Sequence, residues 1–302
     1  MKSRRFVTLD VFTDKRFTGN QLAVVLDSEG LETEAMQAIA REFNLSETVF
    51  VQPPQDSVNL SAVRIFMPGG ELPFAGHPTV GSAVLLAMLN KASIGHDLNF
   101  TIEEKIGLVP CTVRLSASDT GRARFELPKL PYEAGEAAPA ADIAEALGLD
   151  ASDIGFGNHV PSRFGVGAPF TFVPLKSRDA LDRAAIHAQH WAKAFGTDSH
   201  NAAHLYTPGG VSPDASFDTR MFAPGMGVTE DPATGSAAAS FAGVLMKFQP
   251  SGNGQHTYVI EQGRVMGRPS RIVLGLDVWD GALTGGTIGG EAVVVSEGTI
   301  TA

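Results

Sequence analysis

The sequence predicts an α+β protein of two pseudo-symmetric lobes, each a curled, mostly antiparallel, barrel-like sheet around one central helix. Three observations carry this. First, Arg64-Ile65-Phe66-Met67-Pro68-Gly69 returns as Arg220-Met221-Phe222-Ala223-Pro224-Gly225, an offset of 156 (64 to 220). Second, His77-Pro78-Thr79-Val80-Gly81-Ser82-Ala83 and Asp231-Pro232-Ala233-Thr234-Gly235-Ser236-Ala237 share Pro, Gly, Ser and Ala in register, and each leads into an apolar helix. Third, short strand patterns outnumber helical ones, which leaves too few long helices for a doubly wound parallel sheet. A period of half the chain indicates a duplicated domain rather than a solenoid. The twin loops are then expected to meet in a cleft, one carrying His77 and the other Asp231.

The elements follow in order. Residues 6–12 and 20–26 read as strands around a loop. Leu31, Ala35, Ala38, Ile39 and Phe43 fall at helical spacing. Thr48 to Val51 and Val58 to Phe66 are strands, and Met67 to Ala75 reads as loop. Gly76 to Asn90 is the first central helix. Phe100 to Ile102, Val109 to Leu115 and Arg122 to Leu127 alternate as strands. The crossover between lobes falls near Ser118 to Gly121. The first lobe is placed at 1–120, completed by about 291–302, and the second at 121–290. In the second lobe, Asp142 to Leu147 is a short helix closed by Gly148, and Phe164 to Leu175 holds strands. Leu181 to Phe195 reads as one helix, the counterpart of Thr33 to Phe43. Ala203 to Thr207 and Asp218 to Phe222 are strands, and Ala237 to Phe248 is the second central helix. Tyr258 to Gln262, Arg271 to Val278 and Ala292 to Val295 close the chain as strands.

Composition bounds the function. A formal net charge of −10 argues against nucleic-acid or anionic-membrane partners. The single cysteine, Cys111, excludes an internal disulfide and gives no reason to expect an oxidising compartment. Basic Lys2 to Arg5 is followed by a short strand broken by Asp10, not by the apolar core of a signal peptide. No apolar run reaches the length of a membrane span. A cytoplasmic location is expected.

Four side chains stand out as candidate chemistry. Glu47 precedes the apolar strand Thr48-Val49-Phe50-Val51, and its counterpart at the repeat offset is Ala203. A carboxylate beside apolar walls can take and return a proton near neutrality; a solvated turn Glu is the plainer alternative. His77 lies at a helix start, where the positive helix end favours a neutral imidazole; a capping or core histidine is the alternative. Asp231 is either a proton partner or an N-cap. Ser236 is either a ligand to a substrate carboxylate or a small packing residue. Helix starts at Gly76 and Gly235 offer unpaired N–H groups suited to an anion. Asn20 sits at a loop–strand junction and lines a cleft or makes a local turn bond. Metal chemistry is not supported: His200-Asn201-Ala202-Ala203-His204 lacks the Glu of a zinc protease motif, and His187 and His190 have no nearby carboxylates in sequence. Paired catalytic thiols are impossible with one cysteine.

Asp10 to Val25, Ser46-Glu47-Thr48-Val49-Phe50, Phe74-Ala75-Gly76-His77-Pro78-Thr79, Asp231 to Ala237 and Glu261-Gln262-Gly263 together resemble the phenazine-biosynthesis isomerase family, PhzF-like, nearly end to end. The resemblance implies the diaminopimelate epimerase fold, with the active site between two lobes. It implies isomerisation of a small carboxylic acid, of the dihydro-hydroxyanthranilate type, by proton transfer with no cofactor. Carried over by motif, Glu47 is the acid/base, helped by His77, Asp231 and Ser236. Asn20, Ser46, Gly76, Thr234 and Gly235 are the candidate substrate-binding residues, with no metal ligands. Glu71-Leu72-Pro73 carries no substrate signature. An amino-acid or hydroxy-acid epimerase and a non-catalytic small-molecule binding protein remain alternatives. A homodimer is expected.

Overall fold

The computed structural model of the chain describes residues 2–197 and 201–302. It divides into two units. One runs as far as Pro128 and includes Thr287–Ala302; the other is Lys129–Gly286.

The first unit contains β1 (Ser3–Val11), β2 (Asn20–Val25), α1 (Thr33–Phe43), β3 (Glu47–Gln52), β4 (Ser61–Met67), β5 (Gly70–Leu72), α2 (Gly76–Leu89), β6 (Asp97–Glu104), β7 (Gly107–Leu115) and β8 (Thr120–Glu126). The second contains β9 (Tyr132–Glu133), α3 (Ala140–Leu147), β10 (Ser162–Gly165), β11 (Pro169–Pro174), α4 (Arg178–Arg183), α5 (Ala188–Phe195), β12 (Ala203–Pro208), β13 (Phe217–Ala223), β14 (Val228–Asp231), α6 (Gly235–Phe248), β15 (Gly254–Gln262) and β16 (Ser270–Trp279). The last strand, β17 (Ala282–Thr301), starts in the second unit and ends in the first.

In the first unit every strand except the short β5, which pairs with β4 alone, finds a partner on both sides. The ring runs β1, β2, β3, β4, β6, β7, β8 and the end of β17, which returns to β1. Closure removes the exposed edges that make open sheets aggregate. The two chain ends pair directly, with Lys2 and Ala302 exchanging both backbone hydrogen bonds. Inside lies α2, buried without a break from Gly76 to Ala87. A helix apolar on all sides can only be a core helix, and this one packs on β1, β2, β3, β7 and β8.

The second unit repeats the plan. β10 and β11 are antiparallel, β11 and β12 parallel, β12 and β13 antiparallel, β13 and β15 parallel, and β15 and β16 antiparallel. The same sequence of directions links β1, β2, β3, β4, β6 and β7. Its central helix, α6, packs on β9, β10, β11 and β16. A satellite of α3, α4 and α5 covers the outside around Trp191, Phe195 and Phe222.

The paired R-x-F motifs turn out to be one structural device built twice. Arg64 forks onto Glu71 of β5 at 2.8 and 3.0 Å, and its guanidinium lies 5.1 Å from the Phe66 ring centre. Arg220 forks onto Glu230 of β14 at 2.8 and 2.9 Å and lies 4.7 Å from the Phe222 ring centre. Bidentate geometry and ring stacking are what select Arg over Lys. Each pair ties a short hairpin strand to its long neighbour just ahead of a central helix. Glu71, without a signature in the sequence, is therefore the clasp of the first hairpin.

Several elements depart from the sequence reading. β5 and β14 lie in stretches read as loop; three or four residues are too few for alternation to show. β8 pairs with β7 and β17 and so belongs to the first unit, beyond the crossover read near Ser118 to Gly121. The single helix expected over Leu181 to Phe195 is two, α4 and α5. The break has a cause: Ala185 and His187 donate their N–H groups to Leu147 and Ala146 at the end of α3, and Arg220 takes the carbonyls of Leu181, Asp182 and Ala184. Tertiary partners thus replace the helical ladder at those residues.

Candidate active site

In the first unit, Asn20 opens β2, Glu47 opens the parallel neighbour β3, and Gly76-His77 opens α2. Gly81 explains how the helix comes close enough. A Cβ at Gly81 would sit 2.6 Å from Leu22 and 2.7 Å from Val11, so only glycine lets α2 lie this near to β1 and β2. His77 is four residues earlier, on the same helix face. Its Nδ1 lies 3.3 Å from the Asn20 amide nitrogen and its Nε2 lies 3.4 Å from Glu47 Oε2. The Glu47 side chain is 17% exposed and that of His77 4%. Glu47 is thus largely withdrawn from solvent, and Asn20 is buried with its amide towards His77.

Burial, foremost, holds the His77 imidazole far below its ordinary range, at about 3, and a backbone hydrogen bond to Gln21 pulls weakly the other way. The ring is neutral at physiological pH, for desolvation first rather than for the helix end alone. With the Asn20 amide donating to Nδ1, the ring proton sits on Nε2 and faces Glu47. With Nδ1–H turned to the Gln21 carbonyl, Nε2 becomes an acceptor for a protonated Glu47. The two arrangements differ by one proton on Glu47.

Helix α2 begins with no side-chain cap. The N–H groups of Gly76 and His77 therefore have no intrahelical partner, and Pro78 has no N–H at all. Ser46 is half-buried directly before β3.

In the second unit, Asp231 ends β14 and Gly235 opens α6, again with no side-chain cap. Thr234 donates its hydroxyl to Asp231 Oδ2 at 2.5 Å. Gln262, 1% exposed, grips this loop from the end of β15. Its amide donates to the Asp231 carbonyl at 2.7 Å and to Thr234 Oγ1 at 3.0 Å, and its oxygen accepts the Thr234 N–H at 3.2 Å. Ser236 is half-buried in the first turn of α6. Thus Asn20, Glu47 and His77 gather in the first unit, and Asp231, Thr234 and Gln262 gather in the second, with Gly76 and Gly235 each starting a buried helix.

A profile of the family described as "Phenazine biosynthesis-like protein" matches residues 9–298. The chain belongs to that family. An uncharacterized isomerase of Mesorhizobium japonicum is 46% identical, over 99% of both chains. The trans-2,3-dihydro-3-hydroxyanthranilate isomerase of Pseudomonas aeruginosa is 35% identical, over 89% of this chain and 88% of its own. The crystal structure of the PhzF-family phenazine biosynthesis protein of Bacillus anthracis superposes with a TM-score of 0.86, covering 100% of both chains at 24% identity. The phenazine biosynthesis-like chain described here is accordingly an isomerase of α+β fold.

Two features of this PhzF-like chain escaped the sequence reading. The motif Glu261-Gln262-Gly263 marked the resemblance but had no assigned task. In the fold Glu261 accepts the N–H groups of Val211 and Ser212, Gln262 grips the Asp231 loop, and Gly263 takes φ +78 where a Cβ would lie 2.3 Å from the Arg268 carbonyl and 2.6 Å from that of Pro232. The second concerns the asymmetry of the halves. Phe50 faces Arg64 across the ladder, and Leu205 faces Arg220. The counterpart of Glu47 is then Ala202, one residue before the Ala203 that the sequence offset suggested. The contrast of carboxylate against methyl is unchanged.

The histidine pairs also resolve. His200 lies outside the described residues. His204 is fully buried beside Phe172 and Phe241. His187 is the N-cap of α5 rather than a helix-face residue, and His190 has a carboxylate after all, Glu145 at 3.7 Å. Among the described residues no three His, Cys, Asp or Glu side chains gather as metal ligands, and no helix is long and apolar enough to cross a membrane.

Proposed function

We propose that this isomerase moves a proton between two carbons of a small, unsaturated carboxylic acid of the trans-2,3-dihydro-3-hydroxyanthranilate type, without a cofactor. The observation that carries the reading is the buried line Asn20, His77, Glu47 at the uncapped start of α2. Support for the substrate class comes from the 35% identical relative that bears that name.

In this reading ionised Glu47 removes a proton from one carbon. The C–H electron pair spreads into the conjugated acid, and protonated Glu47 returns the proton at another carbon while the double bonds shift. His77 stays the neutral Nε2–H tautomer that the Asn20 amide favours and donates to a Glu47 oxygen whether that carboxyl is ionised or protonated, so Glu47 passes between both states without a buried imidazolium. The N–H groups at Gly76 suit the carboxylate or the developing enolate, as helix starts do for anions, and the start of α6 at Gly235 has the same character. Asn20, Ser46 and Thr234 orient the substrate, and Asp231 and Ser236 assist. A homodimer in the cytoplasm is the expected working form.

Epimerisation is the second reading weighed. It calls for an acid–base group on each side of one carbon, and the counterpart of Glu47 is an alanine, which favours the single-carboxylate shuttle. The test is conversion of trans-2,3-dihydro-3-hydroxyanthranilate in D₂O, followed by mass spectrometry and NMR. Product with deuterium or a transferred substrate proton at the newly protonated carbon, and at no other, supports the reading. Deuterium returned with inverted configuration to the carbon that lost its proton indicates epimerisation instead.

A further inference from the structure

Glu104 is a buried carboxyl that the proposed chemistry does not use. It ends β6, is 8% exposed, and its Oε2 has no hydrogen-bond partner among the described residues. Its Oε1 lies 2.6 Å from Thr79 Oγ1 in the first turn of α2. The same hydroxyl lies 2.7 Å from the carbonyl of Ala75, the N-cap residue. A hydroxyl has one hydrogen. If Thr79 donates to Ala75, as a threonine bonding back by four residues does, the hydrogen in the 2.6 Å contact belongs to Glu104.

The second unit places an amide at the equivalent strand position, also against a threonine at a central-helix start, although that threonine is not the repeat counterpart: Thr79 aligns with Ala233, and Thr234 with Val80. Ser61 and Ala62 of β4 pair with Ile102 and Glu103, and Phe217, Asp218 and Thr219 of β13 pair with Ile260, Glu261 and Gln262. Ser61 corresponds to Phe217 at the repeat offset, so Glu103 corresponds to Glu261 and Glu104 to Gln262. The first pair behaves alike: Glu103 accepts the N–H groups of Gln55 and Asp56, as Glu261 accepts those of Val211 and Ser212. Gln262 donates to the Thr234 hydroxyl, which donates onward to Asp231. At Gln262 the donor is an amide that cannot lose its proton.

We propose that Glu104 works as a neutral carboxylic acid, supplying to Thr79 the hydrogen that Gln262 supplies to Thr234, and that this proton positions the start of α2 and with it His77. Glu104 is thus a positioning residue, and at this strand position the first unit carries a titratable group while the second carries an amide. Burial supports the assignment, since it pushes the carboxyl up to about 8.

The charged groups around it are otherwise engaged. Lys105 turns to Glu71, Arg64 also holds Glu71, and His77 faces Asn20 and Glu47. Arg122, Arg124 and Glu126 lie on the exposed face of β8. The Cys111 thiol on β7 is the group that feels Glu104; burial and that carboxyl both push it up, so it stays neutral. Among the described residues no basic partner offsets ionisation of Glu104.

The inference rests on the proposed function only in calling the start of α2 a site, and its test needs no substrate. Infrared difference spectra of wild type minus Glu104→Gln, at neutral pH, should show the C=O stretch of a protonated carboxyl that is lost as pH passes about 8. A carboxyl with a raised folded value favours folding most below its unfolded value of 4.5, and that contribution is lost as pH rises to about 8. Thermal midpoints of wild type should therefore fall relative to Glu104→Gln across that window, and the His77 ring NMR signals should shift with Glu104 in wild type alone. Glu104→Ala should be weakened at every pH. A carboxylate band at neutral pH, parallel wild-type and Glu104→Gln profiles, or Glu104→Gln as weak as Glu104→Ala at acidic pH would each overturn the proposal. Failure of Glu47 as acid/base would leave all three readouts untouched.

Discussion

Nε2 of His77 lies 3.4 Å from Oε2 of Glu47, and both atoms are shut off from solvent. A neutral imidazole and a carboxyl at this distance form a pair whose protons can be rearranged without creating a buried cation. Asn20 decides which tautomer is favoured, through its amide 3.3 Å from Nδ1. Asn20→Ala should keep the fold and lower turnover by about tenfold, equivalent to roughly 1.4 kcal/mol in the barrier. Steady-state turnover with the circular dichroism spectrum as control checks this; unchanged turnover would remove Asn20 from the relay.

Gln262 is predicted to matter as much for the loop of the second unit. Gln262→Leu removes the acceptor of the Thr234 N–H and the amide that donates to the Asp231 carbonyl and to Thr234 Oγ1. Each such loss costs about 1–3 kcal/mol. Chemical denaturation should show a loss of roughly 3 kcal/mol. Turnover should fall beyond the share explained by unfolded protein, because Thr234 no longer holds Asp231 in place.

Acid should unfold the protein partly through His204. Burial holds its imidazole at about 3, and neither ring nitrogen has a hydrogen-bond partner among the described residues. A depressed folded value means stability present above the ordinary value of 6.5 that is lost as pH falls towards about 3. His77 titrates with the same sign. His204→Leu should be as stable as wild type or more so at neutral pH, since an unpaired polar ring gives way to an apolar side chain. It should also lose part of the acid sensitivity. Melting temperatures of the two proteins between pH 7 and pH 4 provide the comparison; parallel curves would exclude His204 as a source.

What the sequence made legible was the doubling. The paired R-x-F motifs and the two uncharged helix starts are local patterns, and they survive in the fold as clasped hairpins and buried helices. Contacts that join distant strands were hidden. Glu71 and Glu230 gain their meaning from arginines seven and ten residues earlier on neighbouring strands. The helix expected over Leu181 to Phe195 breaks because α3 and Arg220 satisfy its backbone from outside. Glu47 and His77 were visible as residue types beside apolar segments, but Asn20 as their third member required the close approach that Gly81 allows. Gln262 and Glu104 could have been found by extending the repeat through β6 and β15, where Glu103-Glu104 aligns with Glu261-Gln262.

The central claim is that one carboxyl both takes and returns the migrating proton, and Glu47→Gln addresses it most directly. The substitution keeps shape and removes the acid–base function, leaving the N–H groups of Gly76 and Gly235 in place. Measured on trans-2,3-dihydro-3-hydroxyanthranilate, or on a dihydroaromatic acid found by screening, turnover should drop by about 10² or more while the folded state and ligand affinity are largely kept. Turnover near that of wild type would contradict the account and move the acid–base role to Asp231 or His77.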